Sequence, residues 1–274
     1  MKVDILLSTF NGANYLTELL QSLRSQTYPD WKLIVRDDGS TDNTLDILKA
    51  FGEKERVTLL KDGIRLGPKK SFELLLEKST ADYMLFCDQD DVWLPEKIQH
   101  TLEKMQKMEQ QFPEQPMLVF SDLVVSDEAL NEIHPSLWNY TKVNPENIHN
   151  IYKLLVNNPV VGCTTMINRQ AKHVVLPIPD EAVMHDWWVA LKVSSKGKAV
   201  FLREPTIRYR LHTENNLGVS AADSRFYLKR MIRFQTLLSQ NNHAIKMMKA
   251  LDCNLSVPKF LFYKVMMSFS KAFR

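Results

Sequence analysis

The sequence has few cysteines, no long apolar run and no internal repeat, and each absence excludes a class of protein. Its three cysteines, Cys87, Cys163 and Cys253, are far apart and form no CxxC pair, so neither a disulfide framework nor a zinc site is expected. No segment approaches the roughly 18 apolar residues of a membrane-spanning helix, and the N-terminus (MKVDILLSTF) lacks a signal-peptide layout. We therefore expect a cytoplasmic protein with reduced thiols that is not an integral membrane protein.

Size and composition indicate an ordinary globular chain with an unusual charge distribution. Apolar residues make up 45% and charged residues 24% of the 274 residues, enough for one large α/β domain with its own core. Residues 221–274 contain ten Lys and Arg but two Asp, a net charge of +8; the whole-chain value of +3 leaves 3 − 8 = −5 for residues 1–220. We predict one main domain over 1–220 and a basic helical extension over 221–274, which favours an anionic surface as partner rather than nucleic acid.

Strand and helix signals alternate along the first half of the chain. Short apolar runs predict buried strands at Val3–Ser8, Lys32–Asp37, Arg56–Leu60, Tyr83–Asp88 and Met117–Asp122. Helical spacing of leucines between them, as in residues 16–23, predicts right-handed βαβ units and a mostly parallel sheet flanked by helices. The second half predicts helices at Ile148–Val156, His185–Val193 and 222–251, and strands at Thr164–Asn168, Ala199–Leu202 and Thr206–Arg210.

Three carboxylates, Asp88, Asp90 and Asp91, follow directly on the fourth predicted strand. Like charges this close need a cation or full solvation. Mg²⁺ or Mn²⁺ carrying substrate phosphates takes one or two such oxygen ligands; a solvated acidic turn that caps the next helix is the alternative. Spacing alone leaves both open, but ligands bind at the carboxyl ends of strands in such sheets, and this favours the metal.

Two other strand ends carry polar turns. One of the two carboxylates in RDDGSTD, Asp37 or Asp38, could accept a hydrogen bond from a pyrimidine imide or a ribose hydroxyl, and Ser8, Thr9 and Asn11, in STFNG, could contact a nucleotide. Turn formation and helix capping explain the same residues. The patterns alone do not decide between these readings.

Taken in order, LLSTFNGANYL, SLRSQTYPDWKLIVRDDGSTDNT and FCDQDDVWLPEKI resemble the family 2 glycosyltransferases of the GT-A fold. The resemblance is strong over about residues 1–100 and weaker to about 215. It implies a Rossmann-like central sheet flanked by helices, with a helical C-terminal tail, and transfer of a sugar from a nucleotide-sugar donor.

The resemblance also implies roles for individual residues. On the donor side these are Ser8, Thr9, Asn11, Asp38 and Asp88 for the nucleotide and Asp90, the second acid of the DxD motif, for Mn²⁺ or Mg²⁺. Asp186 in His185-Asp186-Trp187-Trp188, where His replaces the family's Glu, would be the catalytic base. Trp187 or Trp188 would stack on a sugar, although an N-cap Asp followed by buried tryptophans is the alternative. His212, in a late YRxH motif, would be a further metal ligand or a contact to the diphosphate, with a structural histidine as the alternative.

A departure from the family pattern lies at Arg65-Leu66-Gly67, where members often carry Asn-x-Gly. The basic pair Lys69 and Lys70, which follows it, is interpreted as solvated.

The expected reaction is an inverting, metal-dependent transfer to a hydroxyl of a glycan acceptor, carried on a lipid, in surface polysaccharide biosynthesis. The HDWW and YRxH motifs resemble rhamnosyltransferase-like members, so dTDP-rhamnose is the leading donor and a UDP-hexose the second. One alternative is a sugar-nucleotide pyrophosphorylase. Those enzymes have a GxGTRL-type N-terminal loop, and the segment STFNGANYL does not match it. Another is an inactive nucleotide-sugar-binding scaffold, against which the presence of Asp90 and Asp186 counts.

The C-terminal segment PKFLFYKVMMSFSKAFR has a helical apolar arc with lysines on the opposite side. The arc comprises Leu261, Phe262, Val265, Met266, Phe269, Ala272 and Phe273, and Phe260 interrupts the polar face. Such a basic amphipathic helix suits an anionic membrane surface, which would make the protein peripheral at the inner face of the cell membrane. Packing of the arc on the catalytic domain is the alternative.

Overall fold

A nine-stranded sheet lies between two helical layers in the part of the chain that the computed structural model describes, residues 1–60, 63–212, 234–251 and 253–272. The strands are β1 (Val3–Thr9), β2 (Trp31–Asp37), β3 (Val57–Leu60), β4 (Tyr83–Cys87), β5 (Val92–Trp93), β6 (Met117–Ser126), β7 (Glu132–His134), β8 (Met166–Asn168) and β9 (Lys198–Arg210). The helices are α1 (Ala13–Arg24), α2 (Thr44–Gly52), α3 (Gly67–Lys78), α4 (Lys97–Gln111), α5 (Leu137–Thr141), α6 (Ile151–Val156), α7 (Arg169–Val175), α8 (His185–Lys196), α9 (Phe234–Ala250) and α10 (Val257–Ala272).

The sheet has the order β3-β2-β1-β4-β8-β6-β9-β5, and β7 pairs with β6. Strands β1 to β4 are parallel to one another, as expected for βαβ units. Strand β8 runs antiparallel between β4 and β6, and β9 is parallel to β6. The predicted α/β class, with helices on both faces of the sheet, is confirmed.

Alternate residues of each strand point into two separate cores, because side chains on a strand alternate between the two faces of the sheet. Ile5 and Leu7 of β1 pack with apolar residues of α1, α2 and α4. Leu6 packs on the other face with residues of α3, α7 and α8. The apolar runs of the sequence are therefore strands buried on both faces.

The second half of the chain differs in detail from its predicted elements. The two strands predicted at 199–202 and 206–210 are one strand, β9, which has register shifts against β6 between Ser121 and Val124. A 3₁₀ turn, Pro145–His149, precedes the short helix α6. The helix predicted over 222–251 is described from Phe234 onward, and the predicted boundary at residue 220 lies outside the described residues.

The terminal helix α10 packs on α6 with a face that the helical wheel did not select. Phe260, which interrupts the polar face, is 1% exposed, and the Tyr263 ring stacks on the Tyr152 ring at 5.5 Å. The described part of the predicted apolar arc points outward: Leu261, Phe262, Val265 and Met266 are 42%, 63%, 56% and 41% exposed. Within the described ranges, no helix combines the length and apolar character needed to cross a bilayer.

Candidate active site

The carboxyl ends of three neighbouring parallel strands form the centre of the candidate site. Thr9 of β1 is in register with Asp37 of β2, and Leu7 of β1 with Cys87 of β4. The loops that follow β1 and β4 are joined by Gln89, whose side chain accepts from the backbone N–H of Phe10 at 2.9 Å and donates to its carbonyl oxygen at 3.0 Å. A Cβ atom on Gly12 would lie 2.3 Å from Gln89 Oε1, so glycine there permits this contact.

The residues predicted to contact the nucleotide fall into two groups. Ser8 is half-buried and Asn11 is exposed, and Asn11 Oδ1 accepts from the backbone N–H of Thr41 at 2.9 Å. Thr9 is 1% exposed, and its hydroxyl donates to Asp37 Oδ1 at 3.0 Å. This is a correction to the sequence-based prediction, since the Thr9 side chain fixes the ends of β1 and β2 instead of facing a ligand.

Asp38 lies beneath the turn at 65–67. Its carboxylate accepts hydrogen bonds from the Arg36 guanidinium and from the backbone N–H groups of Leu66 at 2.7 Å and Gly67 at 2.8 Å. Burial alone would raise the pKa of Asp38, but these bonds together lower it below its ordinary value. Asp38 is 4% exposed, so most of its carboxylate serves to hold this turn against the end of β2.

The three acids after β4 differ in burial and therefore in what they can reach. Asp90 and Asp88 are half-buried, whereas Asp91 is fully buried. Burial, followed by the charges of Asp90 and Asp186, raises the pKa of Asp88 to about 7. Asp91 Oδ1 accepts from the backbone N–H of Arg210 at 3.2 Å, and Asp91 Oδ2 makes no hydrogen bond among the described residues. Burial also raises the pKa of Asp91 well above its ordinary value, so burial favours the neutral form of both carboxyl groups.

The predicted metal ligands Asp90 and His212 lie together, with Asp90 Oδ2 and His212 Nε2 2.7 Å apart. They meet because β5 pairs antiparallel with β9, Val92 opposite Arg208, which places the end of β9 beside the acid loop. Carboxylate and imidazole form a donor set that suits Mn²⁺ and, less well, Mg²⁺.

A second group of potential ligands lies deeper: oxygens of Asp88 and Asp91 and the Cys163 thiol are within 4.8 Å of one another. Asp91 and Cys163 are both 0% exposed, so an ion held between them would lie away from solvent and from a donor's phosphates. The side chains of Asp90 and His212 are 16% and 8% exposed, so they lie nearer the surface than the deeper group, and their donor set fits a divalent cation there.

The predicted base, Asp186, lies at the start of α8 next to the acid loop. Its two carboxylate oxygens accept from the backbone N–H of Trp187 at 2.6 Å and of Gly162 at 3.1 Å. Burial raises the pKa of Asp186 to about 6, although both hydrogen bonds act in the opposite direction. Asp186 is bonded to Gly162, and the thiol of the next residue, Cys163, lies within 4.8 Å of oxygens of Asp88 and Asp91, which places Asp186 near the acid loop.

The residues that flank Asp186 point into the protein. Trp188 is 2% exposed and donates through its indole N–H to the carbonyl oxygen of Val175 at 2.9 Å. Its predicted stacking on a sugar is therefore wrong, because helix α8 turns this ring into the core. Trp187 keeps a partly exposed ring. His185 is stacked on Phe72 at 4.0 Å, and burial lowers the pKa of this imidazole to about 3.

The basic pair of the 65–70 segment is not simply solvated. Lys69 Nζ donates to the carbonyl oxygens of Asp180 and Ala182, each at 2.9 Å. Lys70 forms an ion pair with Glu73 at 2.7 Å and a longer one with Asp180, in the loop before α8, at 3.7 Å. Both lysines therefore hold the loop that leads to α8 instead of lying free at the donor site.

Sequence reasoning missed three residues that organise the site: Gln89, Gly162 and Arg210. Gln89 was the unspecified middle position of the DxD motif, and Gly162 lies between predicted elements. Arg210 was part of the YRxH motif, but its contacts depend on pairing between distant strands. The only sequence signal for Arg210 was its position two residues before His212.

Comparison with known proteins agrees with this architecture. The profile of Glycosyl transferase family 2 matches residues 4–171, more than half of the chain. The chain is 25% identical over 212 residues to the putative teichuronic acid biosynthesis glycosyltransferase TuaG of Bacillus subtilis, covering 76% of this chain and 79% of that protein. It is 25% identical over 228 residues to the dTDP-rhamnosyl transferase RfbG of Shigella flexneri, covering 78% and 74%.

A solved structure shows the same fold. The mannosyltransferase PcManGT of Pyrobaculum calidifontis, in complex with GDP-Man and Mn²⁺, is 18% identical with a TM-score of 0.63 and covers 95% of this chain and 67% of that one. Of several other curated relatives, the chain spans only 33% to 64% of the length. The match over residues 4–171, together with the sheet topology, establishes that the chain belongs to glycosyl transferase family 2 and is a glycosyltransferase of the GT-A fold.

Proposed function

We propose that the enzyme is a metal-dependent, inverting glycosyltransferase that moves a sugar from a nucleotide-sugar donor to a hydroxyl of a glycan acceptor. The observation that carries the proposal is the position of Asp186. This carboxylate, with a pKa raised to about 6, is bonded to Gly162, whose neighbour Cys163 contacts the acid loop that would hold the donor's diphosphate. An acceptor hydroxyl between the two would face a base on one side and the donor on the other.

The donor's nucleoside would lie over the ends of β1 and β2. Ser8, Asn11 and Asp38 are the residues proposed to contact it. Asp88 would contact the ribose or the water shell of the metal. The Arg65 guanidinium, 4.0 Å above the Phe10 ring, lies at the same edge.

Asp90 and His212 are the residues proposed to hold Mn²⁺ or Mg²⁺, with Asp88 beside them. Such an ion, when bound, neutralises charge on the departing nucleoside diphosphate. A metal in that position removes the need for an acid that protonates the leaving group, so the two-carboxylate arrangement of glycoside hydrolysis does not apply.

Asp186 is the proposed catalytic base. It would take the proton of the acceptor hydroxyl as that oxygen attacks the anomeric carbon in line with the departing diphosphate, which inverts the configuration. A base with a pKa of about 6 is mostly ionised at neutral pH and still accepts a proton effectively. Trp187 is proposed to provide an aromatic face for the acceptor sugar.

The relatives suggest which sugars are involved. RfbG is named as a dTDP-rhamnosyl transferase and TuaG as a glycosyltransferase of teichuronic acid biosynthesis. We accordingly propose dTDP-rhamnose as the leading donor, a UDP-hexose as the second, and a role in surface polysaccharide biosynthesis. Membership of a glycosyltransferase family favours this reaction over nucleotide-sugar pyrophosphorolysis.

A donor panel tests the proposal. The protein is incubated with dTDP-rhamnose, UDP-glucose, UDP-N-acetylglucosamine or GDP-mannose and with short glycan acceptors, and release of the nucleoside diphosphate is measured with Mn²⁺ and with EDTA. Metal-dependent release from one donor supports the assignment. No release from any donor, in a protein that still binds nucleotide, would support the inactive scaffold.

We further propose that α10 brings the enzyme to an anionic membrane at the inner face of the cell membrane, where a lipid-linked acceptor lies within reach. Phe260 and Tyr263 fasten the helix to the domain, so its outward apolar residues remain available. Phe262 and Val265 are the most exposed of these, and the sequence around them is strongly basic. Apolar insertion combined with attraction to anionic lipid is the binding mode of such helices.

Vesicle binding tests this placement without removing the helix. We expect Phe262→Ser with Val265→Ser to reduce sedimentation with vesicles that contain phosphatidylglycerol at low salt. The matched control is Ile133→Ser, which changes a 43% exposed apolar residue on β7. Equal binding by the double variant and by wild type would show that this face meets something other than a membrane.

A further inference from the structure

A buried arginine, Arg210, bonds to the acid loop of the proposed metal site and lies two residues before the other proposed ligand, His212. Its side chain is 3% exposed. Its Nε donates to the carbonyl oxygen of Asp90 at 2.9 Å, and its backbone N–H donates to Asp91 Oδ1 at 3.2 Å. His212 follows two residues later, at the end of β9. Arg210 therefore joins the acid loop and the strand end that supply the two proposed ligands.

The remaining donors of Arg210 connect to two further segments. One Nη group donates to the carbonyl oxygen of Glu128, and the other donates to the carboxylate of Glu18 on α1. The guanidinium also lies 4.9 Å above the Tyr15 ring. A buried guanidinium needs such partners, because an unpaired charge away from water is costly.

Tyr15 extends the same network to the second ligand. Its ring lies 4.9 Å from the His212 ring, and its hydroxyl donates to Glu128 Oε1 at 2.7 Å. The imidazole of His212 is thus bounded by Tyr15 on one side and by Asp90 on the other. Arg210 therefore reaches Asp90 directly, through its carbonyl oxygen, and reaches His212 through the ring of Tyr15.

We propose that Arg210 is a positioning residue that holds Asp90 and His212 in one ligand set, and that Glu18 keeps Arg210 in place from α1. The inference rests on the proposed metal site and adds residues that would not touch the ion themselves. Residues that orient ligands from behind typically change metal affinity by about 10- to 100-fold when they are removed. Lysine cannot replace Arg210 here, since its single ammonium group lacks the planar fork of donors.

Glu18 offers the sharper test because its side chain is 52% exposed, so its replacement should leave the fold intact. Calorimetric titration with UDP and dTDP, in Mn²⁺ and in EDTA, measures the gain in nucleotide affinity due to the metal. We expect Glu18→Ala to reduce that gain by about 10-fold, with no change in the EDTA titration. Glu18→Gln keeps an acceptor oxygen and should lose less, whereas Arg210→Lys should lose at least as much as Glu18→Ala.

The matched control is Glu55→Ala, which removes the 2.8 Å ion pair made with Arg24 at the other end of α1 and should leave the gain unchanged. If Glu18→Ala shows the same metal-dependent gain in nucleotide affinity as wild type, the positioning role is overturned, but the proposed metal site is not. Equal losses in Glu18→Ala and Glu18→Gln would also overturn it, because they would point to the charge of Glu18 alone. A wild-type protein with no metal-dependent gain would refute the proposed metal site itself, and this inference with it.

Discussion

Replacing Asp186 by Asn separates its proposed chemistry from its structural role. The side chain makes two hydrogen bonds, both as an acceptor from backbone N–H groups. Asn keeps the shape and one acceptor oxygen but cannot take a proton from the acceptor hydroxyl. General-base catalysis contributes about 10² to 10⁴ in rate, so we expect kcat/KM to fall by that factor while nucleotide affinity is unchanged.

The same substitution has a predictable effect on stability. The pKa of Asp186 is about 6 in the folded protein, against an ordinary value of 3.8, so the folded state binds the proton more tightly than the unfolded state. The contribution of Asp186 to the free energy of unfolding is therefore full below pH 3.8 and is lost as the pH rises through 6. A folded-state pKa of about 6 against 3.8 corresponds to a loss of about 3 kcal/mol at pH 7.

Asn avoids that loss but gives up one hydrogen bond, which costs about 1 to 2 kcal/mol. We therefore expect Asp186→Asn to be about 1 kcal/mol more stable at pH 7, a rise in Tm of about 2 to 4 °C. Wild-type kcat/KM should fall below about pH 6, to about a tenth of its plateau at pH 5. Transfer assays over pH 5 to 8, thermal unfolding and nucleotide titration check these expectations. An inactive variant that also melts lower and binds nucleotide poorly would make Asp186 a structural residue.

Two further substitutions test how the site and the terminal helix are held. A Cβ atom on Gly162 would lie 3.0 Å from His185 Nε2 and 3.5 Å from Asp186 Cβ, so Gly162→Ala should displace Asp186 and lower kcat more than it raises the KM for the donor. Steady-state kinetics measures both constants, and an unchanged kcat would refute the role of Gly162 in positioning Asp186. Phe260→Ala empties a fully buried site and should lower the free energy of unfolding by about 3 to 5 kcal/mol, against less than about 0.5 kcal/mol for the exposed Phe262→Ala. Equal losses in urea titrations of the two variants would contradict the packing of α10.

The first half of the fold could be predicted because its signals are local. Apolar runs such as Val3–Thr9 are strands buried on both faces, and the helices between them carry a clear apolar stripe. Parallel strands then place their carboxyl ends at one edge, so the proximity of Thr9, Asp37 and Asp88 followed from topology alone. The side-chain roles did not follow, since the burial of Thr9 depends on its hydrogen bond to Asp37.

The contacts around Arg210 could not be predicted from local patterns. They depend on the two-residue strand β5, too short to produce a periodic signal, and on its pairing with β9 more than 110 residues later. The orientation of α10 was missed for a related reason. A helical wheel finds the larger apolar face, whereas packing also depends on the surface that receives the helix, here the ring of Tyr152.

The most direct test of the account is a calorimetric titration of UDP and dTDP into wild type and Asp90→Ala, each with Mn²⁺ and with EDTA. A nucleotide-sugar transferase with its metal at Asp90 and His212 should bind one nucleotide more tightly in Mn²⁺, and Asp90→Ala should lose that gain while binding in EDTA as wild type does. Identical affinities in Mn²⁺ and EDTA for wild type, or an undiminished gain in Asp90→Ala, would contradict the metal site and with it the proposed mechanism.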